Sequence, residues 1–190
     1  MQELKERIIN DGQVIGTEVL KVDSFLNHQI DPSFILRMGQ ELAGRFKDAG
    51  VTKVLTVEAS GIAVAMAVAL VFGVPVVFAK KKPPVTQGSE VFSADVFSFT
   101  KQETVKITVT KTYLKASDTI LIVDDFLAHG EALRGLVSIV HSAGARLAGA
   151  GIVIEKCFQH GGDRLREQGL KIESLAAIEQ MRAGLIEFRR

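Results

Sequence analysis

The chain has 190 residues, of which 47% are hydrophobic and 24% are charged, and its formal net charge is +1. We expect one globular domain over residues 1–190, with enough length for a substantial core. The near-zero charge argues against a general nucleic-acid binder, a class that is usually strongly basic. Cys157 is the single cysteine, so no internal disulfide can form, which fits a reducing cytoplasm.

The chain begins with two predicted helices. Residues 2 to 11 have a charged amphipathic pattern that ends at Gly12 and does not resemble a signal peptide. Residues 13 to 30 predict no long regular element. Asp31 and Pro32 then provide a helix N-cap and a first helical residue, and an apolar face continues from there towards Gly50.

An apolar run over residues 61–79 reaches transmembrane length on paper. Gly73 and Pro75 interrupt it, so we predict a buried helix over 62–72 and a buried strand over 74–79, and no membrane span. A predicted strand over 53–58 precedes this helix. The three elements together form a parallel βαβ unit.

The second half of the chain repeats this pattern. The predicted elements are a loop over 80–90, a hairpin over 91–110, a strand over 119–125, a helix over 130–143, a strand over 147–155, and one more strand with a short helix in the tail. The fold class is therefore α/β, with a mainly parallel sheet covered by helices on both faces. Ligands of such sheets bind beyond the carboxyl ends of the strands, here at 58–61, 124–130 and 155–160.

The stretch ILIVDDFLAHGEAL, residues 120 to 133, places Asp124 and Asp125 side by side at the end of a buried strand. Repulsion and desolvation make this pair costly unless it has a partner. Such carboxylates can accept hydrogen bonds from ribose hydroxyls or hold Mg²⁺ through water. The loop over 128–132 leads into a helix and offers backbone N–H groups to a phosphate. A solvated strand–loop–helix connection is the alternative interpretation.

This stretch resembles the signature of type I phosphoribosyltransferases. In that family a strand, an acidic pair and a short loop bind the ribose and 5-phosphate of phosphoribosyl pyrophosphate (PRPP). The resemblance implies a hood from about 12–30 and the C-terminal segment, a flexible β-hairpin loop, a Mg²⁺ cofactor and a homodimer. It implies catalytic and metal-binding roles for Asp124 and Asp125. The implied PRPP-binding loop residues are Ala128, His129, Gly130, Glu131 and Ala132.

The phosphate loop departs from the family pattern in one respect. The family loop often reads T-G-x-T, whereas this chain has His-Gly-Glu-Ala at 129–132. Two hydroxyl donors are thereby lost, and the backbone donors remain. The stretch VEASG, 57 to 61, stands where the family has its pyrophosphate loop, which implies PRPP contacts for Glu58, Ser60 and Gly61.

The segment 80–115 matches the family's mobile catalytic loop and hairpin. It contains seven lysines against three carboxylates, a local balance of +4 in a nearly neutral protein. These lysines are Lys80, Lys81, Lys82, Lys101, Lys106, Lys111 and Lys115. We expect Lys80 to bind PRPP and Lys81 to take part in catalysis. A lysine-rich edge that discourages strand pairing is the alternative interpretation.

Four stretches, at 19–32, 98–102, 124–132 and 151–158, are similar to family members that act on xanthine. The resemblance implies that Leu20, Asn27 and Lys156 contact xanthine, with Phe25 and Phe158 as candidates for stacking on the ring. A lysine donor favours an oxo-purine and its anion, and an Asn amide offers both a donor and an acceptor.

The expected reaction converts PRPP and xanthine into xanthosine 5′-monophosphate and pyrophosphate. Adenine or hypoxanthine/guanine as the acceptor is the nearest alternative. A PRPP-sensing transcription regulator is a less favoured one, because only about thirty residues precede the first strong helix and no helix–turn–helix pattern is present. A nucleotide-binding module without activity is disfavoured by the intact loops.

Overall fold

The computed structural model describes residues 1–81, 90–98, 102–182 and 184–189. Lys82 and Lys101 of the lysine-rich segment lie outside the described residues. The helices are α1 (Gln2–Asp11), α2 (Pro32–Arg45), α3 (Gly61–Phe72), α4 (Glu131–Ser142) and α5 (Gly161–Glu167). The strands are β1 (Gln13–Ile15), β2 (Val19–Lys21), β3 (Lys53–Val57), β4 (Val76–Ala79), β5 (Val91–Ser98), β6 (Glu103–Thr110), β7 (Thr119–Leu127), β8 (Arg146–Lys156), β9 (Ile172–Arg182) and β10 (Leu185–Phe188).

The central sheet has six strands in the order β10-β9-β8-β7-β3-β4. All neighbouring pairs are parallel except β10 with β9, which confirms the predicted mainly parallel α/β sheet. One apolar cluster packs α1, α2 and α3 on one face, and a second packs α4 on the other. The sheet is therefore buried on both sides, as the continuous apolar strands require.

The apolar run over 61–79 divides as predicted into α3 and β4. Gly73 ends α3 in the left-handed conformation, with a φ of 66°. Glycine adopts this conformation without steric cost, so the chain can turn there into the edge strand. Within the described part of the chain, no helix is long and apolar enough to cross a membrane.

Two predicted boundaries and one predicted helix were wrong. Helix α2 ends at Arg45 and not near Gly50, although Phe46 is buried as its periodicity required. Strand β7 continues to Leu127, so the acidic pair lies inside the strand. The tail stretch over 170–181 contains no helix, because β9 runs unbroken to Arg182, and the helix in this region is α5, which we did not predict.

The predicted hairpin is confirmed as β5 and β6, which form a separate two-stranded antiparallel sheet. It joins the main body through paired backbone hydrogen bonds between Lys80 and Thr108, both 2.9 Å long. It also lies against α4 at Gly135, where an added Cβ would stand 2.6 Å from a methyl group of Val96. The glycine therefore allows the hairpin to approach α4 closely.

The predicted hood begins with the β1–β2 hairpin and a π-helical turn, Asp23–Asn27. Phe25 in this turn is fully buried and packs edge-to-face on Phe34, with 5.6 Å between ring centroids. The Arg7 guanidinium lies over both rings. Phe25 is therefore a core residue that holds the turn on α1 and α2, which was the alternative to stacking on the base.

Candidate active site

The acidic pair lies near the carboxyl end of β7, which pairs with β8 in the sheet. The Asp124 carboxylate is 5% exposed and accepts a hydrogen bond from the backbone N–H of Asp125 over 3.0 Å. Burial, and then the neighbouring Asp125 carboxylate, raise the pKa of Asp124 well above its ordinary value. The Lys81 ammonium acts in the opposite direction. Asp125 is half-buried and faces the hood.

The hood reaches the sheet through Asn27. Its side-chain amide donates a hydrogen bond to the Asp125 carboxylate over 2.6 Å. The residue expected to read the base thus adjoins the residue expected to bind ribose. Leu20, the second expected base contact in the hood, is buried in the core cluster beside Gly12.

Lys156 ends β8 and forms a second link to the hood. Its ammonium donates a hydrogen bond to the backbone carbonyl of Glu18 over 2.6 Å, in the turn between β1 and β2. It also lies over the ring of Phe126, 5.4 Å from the centroid. Burial lowers the pKa of Lys156, and Glu18 opposes that shift. An ammonium that has lost part of its hydration is stabilised more by an anionic ligand than a fully solvated one would be.

Phe126 was missed by the sequence analysis. It follows the acidic pair directly, is half-buried, and lines the same cavity as the phosphate loop. Its ring is therefore better placed for base stacking than that of Phe25. No sequence pattern indicated this role, because the predicted strand ended at Asp125 and Phe126 fell in the loop after it.

The phosphate loop lines a cavity of about 290 Å³ together with Lys81, Phe126 and residues of the hairpin. Gly130 has a φ of 89° and directly precedes α4. Glu131 is held by an ion pair with Arg134, 2.7 Å long. The loop thus presents the amino end of a 12-residue helix to the cavity, which favours an anion there. Ala128, His129 and Ala132 complete the predicted loop in the same wall.

The predicted pyrophosphate loop lies beside this cavity. The Glu58 carboxylate accepts a hydrogen bond from the backbone N–H of Lys81 over 2.7 Å. Ser60 precedes α3, and Gly61 begins it. A Cβ on Gly61 would stand 2.9 Å from an Asp124 carboxylate oxygen and still nearer to the Thr56 hydroxyl. Only glycine allows this loop to meet the acidic pair so closely.

The structure separates the two predicted phosphate lysines. Lys81 contributes to the cavity wall, and its charge acts on Asp124. The Lys80 ammonium lies 6.0 Å from the ring centroid of Phe78 on the edge strand. Cys157 is a small buried residue, and burial raises the pKa of its thiol to about 11, which disfavours a role as a nucleophile.

The acidic pair fits a metal ion whose remaining ligands come from the substrate and from water. The described residues contain no group of three or more His, Cys, Asp or Glu side chains that could hold a metal ion by themselves. Mg²⁺ is usually bound through one or two carboxylates together with substrate phosphates and water. Asp124 and Asp125 supply that number of carboxylates, shortly before the phosphate loop in the chain.

Comparison with known proteins agrees with this geometry. Residues 34–176 match the family model described as phosphoribosyl transferase domain. The chain belongs to the phosphoribosyl transferase family. The match contains the acidic pair, both phosphate loops and Lys156, whereas most of the hood precedes it.

Phosphoribosyltransferases of similar sequence align over nearly the whole chain. The xanthine phosphoribosyltransferase of Heliobacterium modesticaldum is 68% identical over 188 residues, which cover 99% of this chain and 100% of the relative. The xanthine phosphoribosyltransferase of Moorella thermoacetica is 57% identical over 97% of this chain and 94% of its own.

Solved phosphoribosyl transferase structures share the fold. The adenine phosphoribosyltransferase of Rhodothermus marinus has a TM-score of 0.76 at 18% identity and covers 93% of this chain and 99% of its own. The APRTase of Giardia lamblia complexed with 9-deazaadenine has a TM-score of 0.78 at 20% identity and covers 92% of this chain and 97% of its own. At these identities the likeness shows the fold alone, and it confirms the predicted type I phosphoribosyltransferase architecture.

Proposed function

We propose that the protein transfers the 5-phosphoribosyl group of PRPP to xanthine, forming xanthosine 5′-monophosphate and pyrophosphate in purine salvage. The hydrogen bond between Asn27 and Asp125 carries this proposal, because it joins the amide expected to read the base to the carboxylate expected to bind the ribose. The relatives named xanthine phosphoribosyltransferase, similar over almost the full chain, support the choice of base.

Charge favours xanthine over adenine at this site. Xanthine carries oxygens at C2 and C6 and is acidic enough to be partly anionic near neutrality. The Lys156 ammonium has one hydrogen bond to Glu18 and further donors for an oxo group or an anionic ring. Adenine presents an amino group at C6, which is itself a donor. A site built on such polar groups rejects the wrong edge strongly, because its own buried groups would stay unpaired.

The reaction needs no side-chain nucleophile. The bond between C1′ and the pyrophosphate oxygen breaks through an oxocarbenium-like state, and a nitrogen of the base attacks from the opposite face. The amides of Ser60 and Gly61 and the Lys81 ammonium stabilise the departing pyrophosphate. The chain contributes by holding both substrates in line and by excluding water, which would otherwise hydrolyse PRPP.

Two further features belong to the proposal. Asp124 and Asp125 would hold Mg²⁺, and the ion would supply charge neutralisation for the departing pyrophosphate. The protein acts as a homodimer, an arrangement supported by the exposed apolar side chains of Met66, Leu70 and Val71 on α3.

The direct test is nucleotide formation from PRPP, Mg²⁺ and one base at a time, with xanthine, guanine, hypoxanthine and adenine in separate reactions. We expect strong preference for xanthine. Lys156→Ala and Asn27→Ala should lose that preference while binding of PRPP, measured by calorimetry, is kept.

Other outcomes would change the assignment in distinct ways. Preference for adenine would leave the PRPP site in place and refute the roles of Asn27 and Lys156. PRPP binding without turnover of any base would favour a PRPP-sensing regulator.

A further inference from the structure

Helix α5 packs against the back of the phosphate loop and contacts two of its carbonyl groups. The backbone N–H of Gly161 donates a hydrogen bond to the carbonyl of Ala128 over 3.2 Å. The Arg164 guanidinium donates one to the carbonyl of His129 over 3.1 Å. Two consecutive peptide groups of the loop are thus held from the same side.

The packing between α5 and the loop leaves no space for a side chain at Gly161. A Cβ on Gly161 would stand 2.6 Å from the Gly130 nitrogen and nearer still to the Ala128 carbonyl oxygen. Behind it, Arg166 forms a two-pronged ion pair with the buried Glu155 carboxylate at the end of β8, with both N–O distances 2.7 Å. This pair fixes α5 to the sheet.

Holding these carbonyls also fixes the direction of the donors that follow them. In a planar trans peptide, the carbonyl of one residue and the N–H of the next point in opposite directions. Both peptides in question are trans. With their carbonyls turned to α5, the N–H groups of His129 and Gly130 are directed away from it. The cavity that the loop lines also includes Lys81, Phe126 and hairpin residues, and none of its described lining residues comes from α5.

We propose that Arg164 is a positioning residue for the 5-phosphate of PRPP, acting through the His129 carbonyl. This inference rests on the proposed function and deepens it. The loop has His129 and Ala132 where the family pattern has two threonines, so it lacks both hydroxyl donors and its backbone N–H groups carry more of the phosphate binding. We call the hydrogen bond from Arg164 to the His129 carbonyl the α5 clamp. By fixing the direction of the peptide group, it keeps the backbone donors ordered, which the hydroxyl groups of the family loop would otherwise help to do.

Arg164→Ala tests the proposal. The side chain is exposed, so the fold should survive, and thermal unfolding checks that it does. We expect the KM for PRPP to rise about tenfold, with kcat and the KM for xanthine nearly unchanged, since one charge-assisted contact in the ground state is lost. Lys47→Ala removes an exposed cation from the turn after α2 and serves as the matched control.

Two readouts separate positioning from simple attraction of the phosphate by a positive charge. The tenfold difference should persist in about 0.5 M salt, where the Debye length is only a few ångströms and exposed charges are screened. The backbone amide resonance of Gly130 should shift in Arg164→Ala before any ligand is added. A difference that disappears at high salt, an unshifted Gly130 amide, or a wild-type KM would each overturn the proposal.

The proposed function and this inference can fail separately. If the wild-type protein turns over no base, the proposed function fails, and the clamp is then measured by calorimetric titration with PRPP alone. Weaker binding of PRPP to Arg164→Ala than to Lys47→Ala would still support the clamp, and equal binding would refute it.

Discussion

The side-chain amide of Asn27 donates a hydrogen bond to the Asp125 carboxylate over 2.6 Å, although 98 positions separate the two residues in the chain. The same two groups are assigned here to the base and to the ribose. Under the proposed function, binding of both substrates would exchange this contact for contacts to the substrates. The Lys156 bond to the Glu18 carbonyl is a second link of the same kind, so the hood is tied to the sheet at two points.

Asn27→Asp should be more damaging than Asn27→Ala. The aspartate would place a third carboxylate against Asp125 and Asp124, and repulsion would push the hood from the sheet. Asn27→Ala removes the amide that is proposed to bind the partly anionic xanthine. Loss of one hydrogen bond to a charged group costs about 1.5–3 kcal/mol, so we expect Asn27→Ala to lower kcat/KM for xanthine about 10- to 100-fold, and Asn27→Asp to lower it further. Steady-state kinetics with each purine measures both effects.

The exchanged pair provides the control for this prediction. Asn27→Asp combined with Asp125→Asn recreates one amide and one carboxylate, so it should recover the thermal stability lost in Asn27→Asp. Activity should stay low, because the ribose carboxylate has moved to the hood. Full activity of Asn27→Asp would show that this contact has no part in the reaction.

Lys156→Met should change the pH dependence of stability. Burial lowers the pKa of Lys156 below its ordinary 10.5, so between the lowered pKa and 10.5 the unfolded chain binds more protons than the folded protein. Wild-type stability relative to Lys156→Met must then increase as the pH rises through that window. Thermal unfolding midpoints of both proteins from neutral to alkaline pH check the sign. A constant difference would mean that Lys156 is not desolvated.

The sequence predicted the sheet and the loops better than the contacts between them. Continuous apolar runs predicted the strands, and Gly73 and Pro75 marked the boundary between α3 and β4. The three loops at the carboxyl ends follow from that order. The Asn27–Asp125 contact and the α5 clamp could not be predicted, because they join distant segments whose packing no local pattern records. Phe126 was missed because hydropathy does not distinguish a half-buried phenylalanine that lines a cavity from a phenylalanine of the core.

Gly61→Ala should disturb the acidic pair. The new methyl group would meet the Thr56 hydroxyl and stand 2.9 Å from the Asp124 carboxylate, so the amino end of α3 must shift. Overpacking of this kind costs about 1–3 kcal/mol, and we expect a lower unfolding midpoint together with a large rise in the KM for PRPP. Chemical denaturation and initial rates measure the two effects.

Gly44→Ala is the matched control for that substitution. Gly44 lies on the exposed face of α2, and nothing stands within 4 Å of a Cβ there. Replacing an exposed helical glycine by alanine should stabilise the protein by about 0.5–1 kcal/mol and leave the kinetics unchanged. If Gly61→Ala behaved like Gly44→Ala, the close approach of the two loops would have no functional weight.

The buried Glu155 carboxylate should set part of the acid limit of stability. It is 1% exposed, and although burial alone would raise its pKa, the hydrogen bonds from Arg166 and Ser174 hold the pKa below the ordinary 4.5. A lowered carboxyl pKa contributes stability that is present above 4.5 and is lost as the pH falls through the folded-state value. Glu155→Gln should therefore show a flatter fall in stability than the wild type below that pH.

Arg166→Ala reverses the sign of this dependence. Removing the guanidinium leaves a buried carboxylate without its main partner, a change that typically costs about 3–5 kcal/mol at neutral pH. The pKa of Glu155 would then lie above 4.5, so acidification from neutrality should narrow the stability gap to the wild type instead of widening it. Denaturation curves at several pH values decide between the two signs. Since Arg166 also fixes α5, the variant should bind PRPP more weakly even where it is fully folded; unchanged PRPP affinity would separate the ion pair from the phosphate loop.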